Sequence, residues 1–210
     1  MDDPFIAFLG VAAVVIMTPG QDTALTIRNT LLGGRMAGFA TAGGVAMGQA
    51  TWTLAASLGL TAILVASESV FAVIRLVGAA YLVYLGAQSI WLALLPRPAG
   101  ATAHGTRPGA LAPQRAFRQG AFSNLGNPKM VIFFSSLLPQ FVTPGSPTFA
   151  SMLSLGLVFV TMTLVWLSAY AVVVARAGHI LGRPRIRRAF DAIMGTILVA
   201  FGVRLAIERR

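Results

Sequence analysis

Cysteine is absent from all 210 residues. No disulfide, thiolate nucleophile or cysteine-held metal site is therefore available. Charge is also scarce. Asp, Glu, Lys and Arg make up 10% of the chain, where a soluble domain carries about a quarter. So few charges cannot clothe a water-facing surface. Acids number 6 and histidines 2. His104 and His179 stand in polar stretches with few acids nearby, so no metal site is expected. A phosphate-binding GxxxxGK[ST] loop is missing, which excludes self-energising by ATP. Neither a nucleophile elbow nor an HExxH helix occurs. These absences predict a protein that is not an enzyme and carries no cofactor. The start, Met1-Asp2-Asp3, lacks a basic n-region, so the first apolar run is expected to stay as a helix.

Apolar sequence is abundant: 56% of residues are hydrophobic, and the mean hydropathy is +0.78. Long runs of this kind need a lipid bilayer as solvent. A spanning helix takes about 20 mostly apolar residues, and six candidates are present at about 4–32, 39–66, 70–95, 116–142, 149–175 and 190–207. Helices are favoured because lipid leaves no partner for unpaired backbone groups. Barrel strands would be shorter and alternating. The predicted fold class is an all-α integral membrane protein.

Residues 96–115 differ in kind. Pro96, Pro98, Gly100, Gly105, Pro108, Gly109 and Pro113 lie there with Arg97 and Arg107, giving a polar, basic linker. It separates residues 1–95 from residues 116–210. Each half opens on a helix broken by proline, at Pro19 and Pro128. Each closes on spaced glycines, Gly78 with Gly86 and Gly195 with Gly202. Three helices per half is odd, so the second half must enter the membrane inverted, as in many secondary transporters. The expectation is six transmembrane helices as two inverted repeats, with helices 1 and 4 broken.

The net charge of +10 is not a nucleic-acid signal, because the arginines sit mostly in connectors. Connectors one, three and five hold Arg28, Arg35, Arg97, Arg107, Arg115, Arg118, Arg176, Arg183, Arg185, Arg187 and Arg188. Connectors two and four hold none. The positive-inside rule puts the basic connectors in the cytoplasm and both termini outside, in a multi-pass protein of the inner (plasma) membrane. Arg204, Arg209 and Arg210 run against this assignment. The run 183–188 reads as a topology signal that touches anionic headgroups.

The sharpest local feature is Thr18-Pro19-Gly20-Gln21-Asp22. Proline removes a backbone donor and clashes with the preceding turn, and glycine lets the chain bend. Asp22 lies just past that break, about 27 Å along a straight helix from Pro4. It is the one acid placed to lie at membrane depth, where a carboxylate is costly and marks function; the plain alternative is an interfacial residue. Asn124-Leu125-Gly126-Asn127-Pro128-Lys129 is the counterpart. Asn127 is a good N-cap with Pro128 at the first turn. Lys129, the sole lysine, is expected either to pair with Asp22 or to snorkel to the surface.

Two half-helix N-termini meeting near a symmetry axis would suit a carboxylate. Asp22 would hold an ammonium group or exchange a proton. Thr18, Gln21, Thr23, Asn124 and Asn127 would add hydrogen bonds. On the second helix, Gly44 and Gly48 form a GxxxG pair suited to close packing. Gln49 follows, with a cavity-facing role and an interhelical hydrogen bond both open.

Three stretches carry a family resemblance. Pro19-Gly20-Gln21-Asp22 followed by Gly33-Gly34-Arg35-Met36-Ala37-Gly38 is one, and residues 78–86 are the second. The third runs from Phe117-Arg118-Gln119-Gly120 through Asn127-Pro128-Lys129 to Phe133-Phe134 and Leu138-Pro139-Gln140-Phe141. In order and spacing the chain resembles the LysE/RhtB family of amino-acid exporters. The resemblance implies proton-driven export of amino acids or related molecules, with Asp22, Pro128 and Lys129 at motif positions. Gln21 departs from it where the family commonly has a second proline. Gln49 departs where many members carry an acid, which disfavours lysine as substrate. Expected partners are an amino-acid substrate, protons and the bilayer, with a homodimer permitted by the small-residue faces. The competing readings are a membrane scaffold or assembly subunit, in which the breaks serve packing alone, and an ion pore, for which no ring of like charges appears.

Overall fold

The computed structural model describes residues 4–59, 68–94, 111–142, 148–177 and 184–207. Among these every regular element is helical, with seven α-helices: α1 Pro4–Met17, α2 Gln21–Ser57, α3 Glu68–Leu94, α4 Pro113–Leu125, α5 Pro128–Ile132, α6 Thr148–Arg176 and α7 Pro184–Ile207. A π turn, Phe133–Leu137, and a 3-10 turn, Leu138–Phe141, continue α5. Sequence pattern alone predicts an ordinary helix here. Pro139 explains the change, since its ring clashes with the turn before it and it has no N–H to donate.

The first predicted span is broken where expected. Pro19 stops α1, and α2 restarts after Gly20, which is extended at φ −143° and ψ −167°. The axes of α1 and α2 differ by 52°. A second interruption lies inside α2, where Gly34 takes φ 74° and ψ −172°. That left-handed backbone suits glycine and strains other residues. The chain folds back on itself there. Asn29 donates to the Thr41 hydroxyl at 3.0 Å, although a straight helix would set residues twelve apart about 18 Å from each other. Residues 21–33 therefore complete the first segment, and residues 35–57 form the second.

Small residues set the packing. A Cβ on Gly44 would fall 2.0 Å from the Phe117 carbonyl oxygen of α4, and one on Gly120 would fall 2.3 Å from that of Thr41. Gly86 of α3 and Gly195 of α7 oppose each other in the same way, at 2.6 and 2.7 Å. Gly38 abuts Thr30 and Ala171, and Gly156 abuts Thr53, which seats α6 against α2. Close approach of this kind lets backbones pack without a hydrophobic drive between helices.

One core cluster joins α1, α2, α5 and α6 around Phe8, Trp52, Met130, Phe133, Phe134 and Phe159. The Phe133 and Phe159 rings stack with centroids 4.1 Å apart. Another joins α2, α3 and α7 through Leu25, Leu82, Leu85 and Leu198. The remaining surface is strongly apolar: Leu157, Leu164, Val165 and Val173 of α6 are exposed. By length and composition, α6 is long and apolar enough to cross a membrane, and α1 with α2 pass the same test as one bent span.

Three sequence expectations are adjusted. Arg28, assigned to a connector, sits within α2 and is 1% exposed. α4 begins at Pro113 and α7 at Pro184, earlier than 116 and 190, because proline is well suited to a first helical turn. Most of the 96–115 linker, His104 and His179 lie outside the described residues.

Candidate functional site

Proline chemistry creates the site. At the end of α1 the last carbonyls lack intrahelical donors. Thr18 answers one of them locally, its N–H and hydroxyl reaching Val14 O at 3.0 and 2.7 Å. Lys129, from the other half of the chain, supplies further donors. Its ammonium group donates to Val15 O and, at 3.3 Å, to Thr18 O. A cation on a helix C-terminus also suits the negative end of the dipole.

The second break is capped as its sequence implies. Asn127 Oδ1 accepts from the Lys129 N–H at 3.1 Å, with Pro128 in the first turn of α5. The same side chain has a second task. Asn127 Nδ2 donates to Asp22 Oδ2 at 3.1 Å. Asn124 Nδ2 donates to the same oxygen at 2.9 Å, and Ser123 Oγ reaches Oδ1 at 3.3 Å. Gln21 completes the junction, with Nε2 donating to Ser123 O at 2.6 Å. The start of α2 is thus tied to the end of α4 and the start of α5, and the two breaks meet.

Asp22 is the centre of this junction. It is partly buried and stands in the first turn of α2, where a negative charge is favoured by the helix dipole. A carboxylate taken out of bulk water is costly unless it is hydrogen-bonded. A hydrogen bond to a charged group returns about 1.5–3 kcal/mol, so three donors offset that cost. The expected Asp22–Lys129 pair is not made: uncharged amides take the acid, and helix-end carbonyls take the lysine. Lys129 answers carbonyls at the end of α1 while Asp22 is held by side-chain donors of the second break, which leaves the two charges as neighbours rather than partners.

Two cavities adjoin the junction. The smaller, of about 30 Å³, is lined by Asp22, Thr23, Gln49, Lys129, Met130 and Thr163 among others. The larger, of about 420 Å³, is lined by Pro19, Gly20, Gln21, Asn127, Lys129, Phe133, Phe201 and Arg204 among others. Val15, Thr18, Gly20, Asn127 and Lys129 border both. The larger volume lies in the range of small-ligand pockets, and the smaller has room for about two waters.

All nine residues singled out from sequence lie on or beside this junction. Pro19, Gly20, Gln21, Asp22, Asn127 and Lys129 line a cavity. Gln49 is 2% exposed, lines the smaller cavity and donates to Met130 Sδ at 3.6 Å. Asn124 is buried, and its carbonyl accepts from Trp52 Nε1 at 3.4 Å. Pro128 contributes its place in the first turn of α5. Sequence reasoning missed Ser123, Thr163 and Arg204. Ser123 precedes Asn124, so its place was readable once the second break was known. Thr163 sits within an unbroken apolar run that gives no signal. Arg28 was also missed as a buried residue; its guanidinium donates to Asn29 Oδ1 at 3.0 Å and Gln88 Oε1 at 2.9 Å. No cluster of three or more His, Asp or Glu occurs among the described residues.

The chain is similar to several bacterial membrane proteins over nearly its full length. It is 30% identical to YrhP, an uncharacterized membrane protein of Bacillus subtilis (strain 168), with 97% of this chain and 98% of the relative covered. It is 28% identical to a homoserine/homoserine lactone efflux protein of Salmonella typhimurium (strain LT2), covering 98% and 97%. It is 27% identical to a leucine efflux protein of the same strain, covering 93% and 91%. No solved structure matches the chain. Residues 13–209 match the family model of the LysE type translocator, a span that takes in both breaks and both cavities. The chain belongs to that family, and it is a membrane transporter rather than an enzyme.

Proposed function

We propose that the chain is a secondary active exporter that carries amino acids or close derivatives out of the cytoplasm by proton antiport. The substrate site is the junction of the two breaks. One observation carries this reading: Gln21 and Asp22 of one half are hydrogen-bonded to Ser123, Asn124 and Asn127 of the other, beside paired cavities. A zwitterion needs an acid and a cation that are held apart and not spent on each other. Asp22 and Lys129 meet that need because neither neutralises the other. The named activities of the homoserine and leucine efflux relatives support amino-acid export.

In this reading Asp22 takes the ammonium group of the substrate, then a proton once the substrate has left. Lys129 and the N-terminal end of α2 attract the carboxylate. Six spans in two inverted halves, in the inner membrane with both termini outside, complete the arrangement. Alternating access then amounts to rocking one half against the other around the fixed junction. A scaffold would leave the acid, the cation and the cavities without a task. Homodimerisation through the small-residue faces is compatible with this reading and not required by it.

The test is efflux from cells loaded with dipeptides that release branched, hydroxyl-bearing or basic amino acids. Expression of the chain is expected to raise export of a branched or hydroxyl-bearing one, and an uncoupler of the proton gradient to abolish the gain. Equal efflux with and without the chain across the whole panel would refute the exporter reading. Export that survives the uncoupler would refute proton antiport alone.

A further inference from the structure

Two buried oxygen atoms near Asp22 have no hydrogen-bond partner among the described residues: Gln49 Oε1 and Thr163 Oγ1. Gln49 is 2% exposed and Thr163 5%, so bulk solvent does not serve them. An unmet buried acceptor is costly, and native structures tolerate it chiefly where a ligand or an ordered water completes the set. Both residues line the small cavity together with Asp22. They reach it from different elements, Gln49 from α2 and Thr163 from α6. The Gln49 amide nitrogen rests on Met130 Sδ, a weak acceptor, so the competing tie on this side chain is slight.

Size and chemistry narrow what the cavity accepts. At about 30 Å³ it holds a group of one or two heavy atoms and no whole amino acid. A primary ammonium has three N–H donors and no acceptor. The cavity offers a carboxylate and two uncommitted oxygens, which matches three donors. The rest of a substrate has somewhere to lie. The larger cavity shares a wall with the small one and presents Phe133, Leu137 and Phe201 with the cations Lys129 and Arg204. That lining suits an apolar side chain and a carboxylate.

We infer that the small cavity is a subsite for the primary ammonium group of the exported molecule, with Gln49 and Thr163 completing the contacts that Asp22 begins. The substrate class is then narrower than amino-acid derivatives in general. It comprises molecules with a free primary amine, and it excludes their N-acylated and 2-hydroxy counterparts. This inference rests on the exporter reading above.

The experiment uses the full chain in proteoliposomes, exchanging tritiated leucine or tritiated homoserine, whichever wild type exchanges faster. Competitors are the amide, the N-acetyl derivative and the 2-hydroxy acid of the same skeleton. The N-acetyl derivative and the 2-hydroxy acid, which keep the carboxylate and lose the ammonium group, are expected to compete at least about tenfold less well than the parent, while the amide, which keeps the ammonium group, still competes. Thr163→Val should raise the concentration for half-maximal exchange about tenfold for parent and amide alike. Thr163→Ser, which keeps the hydroxyl, should recover most of that loss.

Competition by the N-acetyl derivative or the hydroxy acid as strong as the parent's overturns the inference on wild type alone, whether or not Thr163→Val folds. So does a folded Thr163→Val with unchanged exchange. Exchange that needs sodium but ignores the amine would make the cavity an ion subsite, and again the inference fails. If wild type exchanges no amino acid and no amine, the exporter reading falls and takes the subsite with it.

Discussion

Asn127 shows how one side chain can serve two breaks. Its carbonyl oxygen caps α5 while its amide nitrogen holds Asp22. Loss of an N-cap costs about 0.5–2 kcal/mol, and loss of a hydrogen bond to a charge about 1.5–3 kcal/mol. Neighbouring effects are not additive, so Asn127→Ala is expected to destabilise the protein by about 2–4 kcal/mol. Thermal unfolding in detergent reads this, with Asn127→Asp as the companion variant. Aspartate keeps the cap but sets a second negative charge against Asp22. If Asn127→Ala melts with wild type, the capping and tethering roles are both wrong. Pro19, Gly20, Asn127 and Pro128 were legible in the sequence because proline and N-cap chemistry act within a few residues. The partners of Asp22 and Lys129 were not. Opposite charges invite pairing on paper, yet the choice among an amide, a carbonyl and a lysine depends on where three separate helix ends arrive.

At the scale of elements, glycine decides how near α2 and α4 approach. Gly43 and Gly44 are adjacent in sequence and opposite in consequence. A Cβ at Gly44 would lie 2.0 Å from the Phe117 carbonyl oxygen and 2.9 Å from the Ala121 nitrogen, both fixed backbone atoms. At Gly43 the nearest atoms are in the Phe117 ring, 3.7 Å away. Gly44→Ala must push the helices apart, and overpacking of this kind costs about 1–3 kcal/mol or more. Gly43→Ala meets ordinary van der Waals contact and should fall within about 0.5 kcal/mol of wild type. A melting-temperature comparison of the two variants decides the matter, and similar destabilisation by both would contradict the packing described. The Gly44-Gly48 pair was visible in the sequence as a close-packing face. Its partner was not, because spacing reveals that a helix is grooved without revealing which ridge fills the groove. The fold-back at Gly34 was readable as the connector after the first segment. The burial of Arg28 was not, since an arginine six residues before a turn reads equally well as a loop residue.

For the whole molecule, the apolar runs made helices and a lipid environment the natural reading from the start. Boundaries slipped where proline begins a helix, at Pro113 and Pro184. Orientation is a separate matter, resting on the arginines of connectors one, three and five. An alkaline phosphatase fusion near Arg107 should be inactive and one near Glu68 active; the reverse pattern would invert the topology. The two halves matter together because neither makes the site alone. Asp22 comes from the first, and all three of its side-chain donors come from the second. The most direct measurement is therefore binding of tritiated leucine and tritiated homoserine to the purified chain, wild type against Asp22→Asn, with melting temperatures recorded in parallel. Asparagine keeps the size and loses the charge. Wild type should bind at least one of the two, and Asp22→Asn should bind it at least about tenfold more weakly while remaining folded. A folded Asp22→Asn that binds as tightly as wild type would show that the junction of the two breaks is not where the substrate is held.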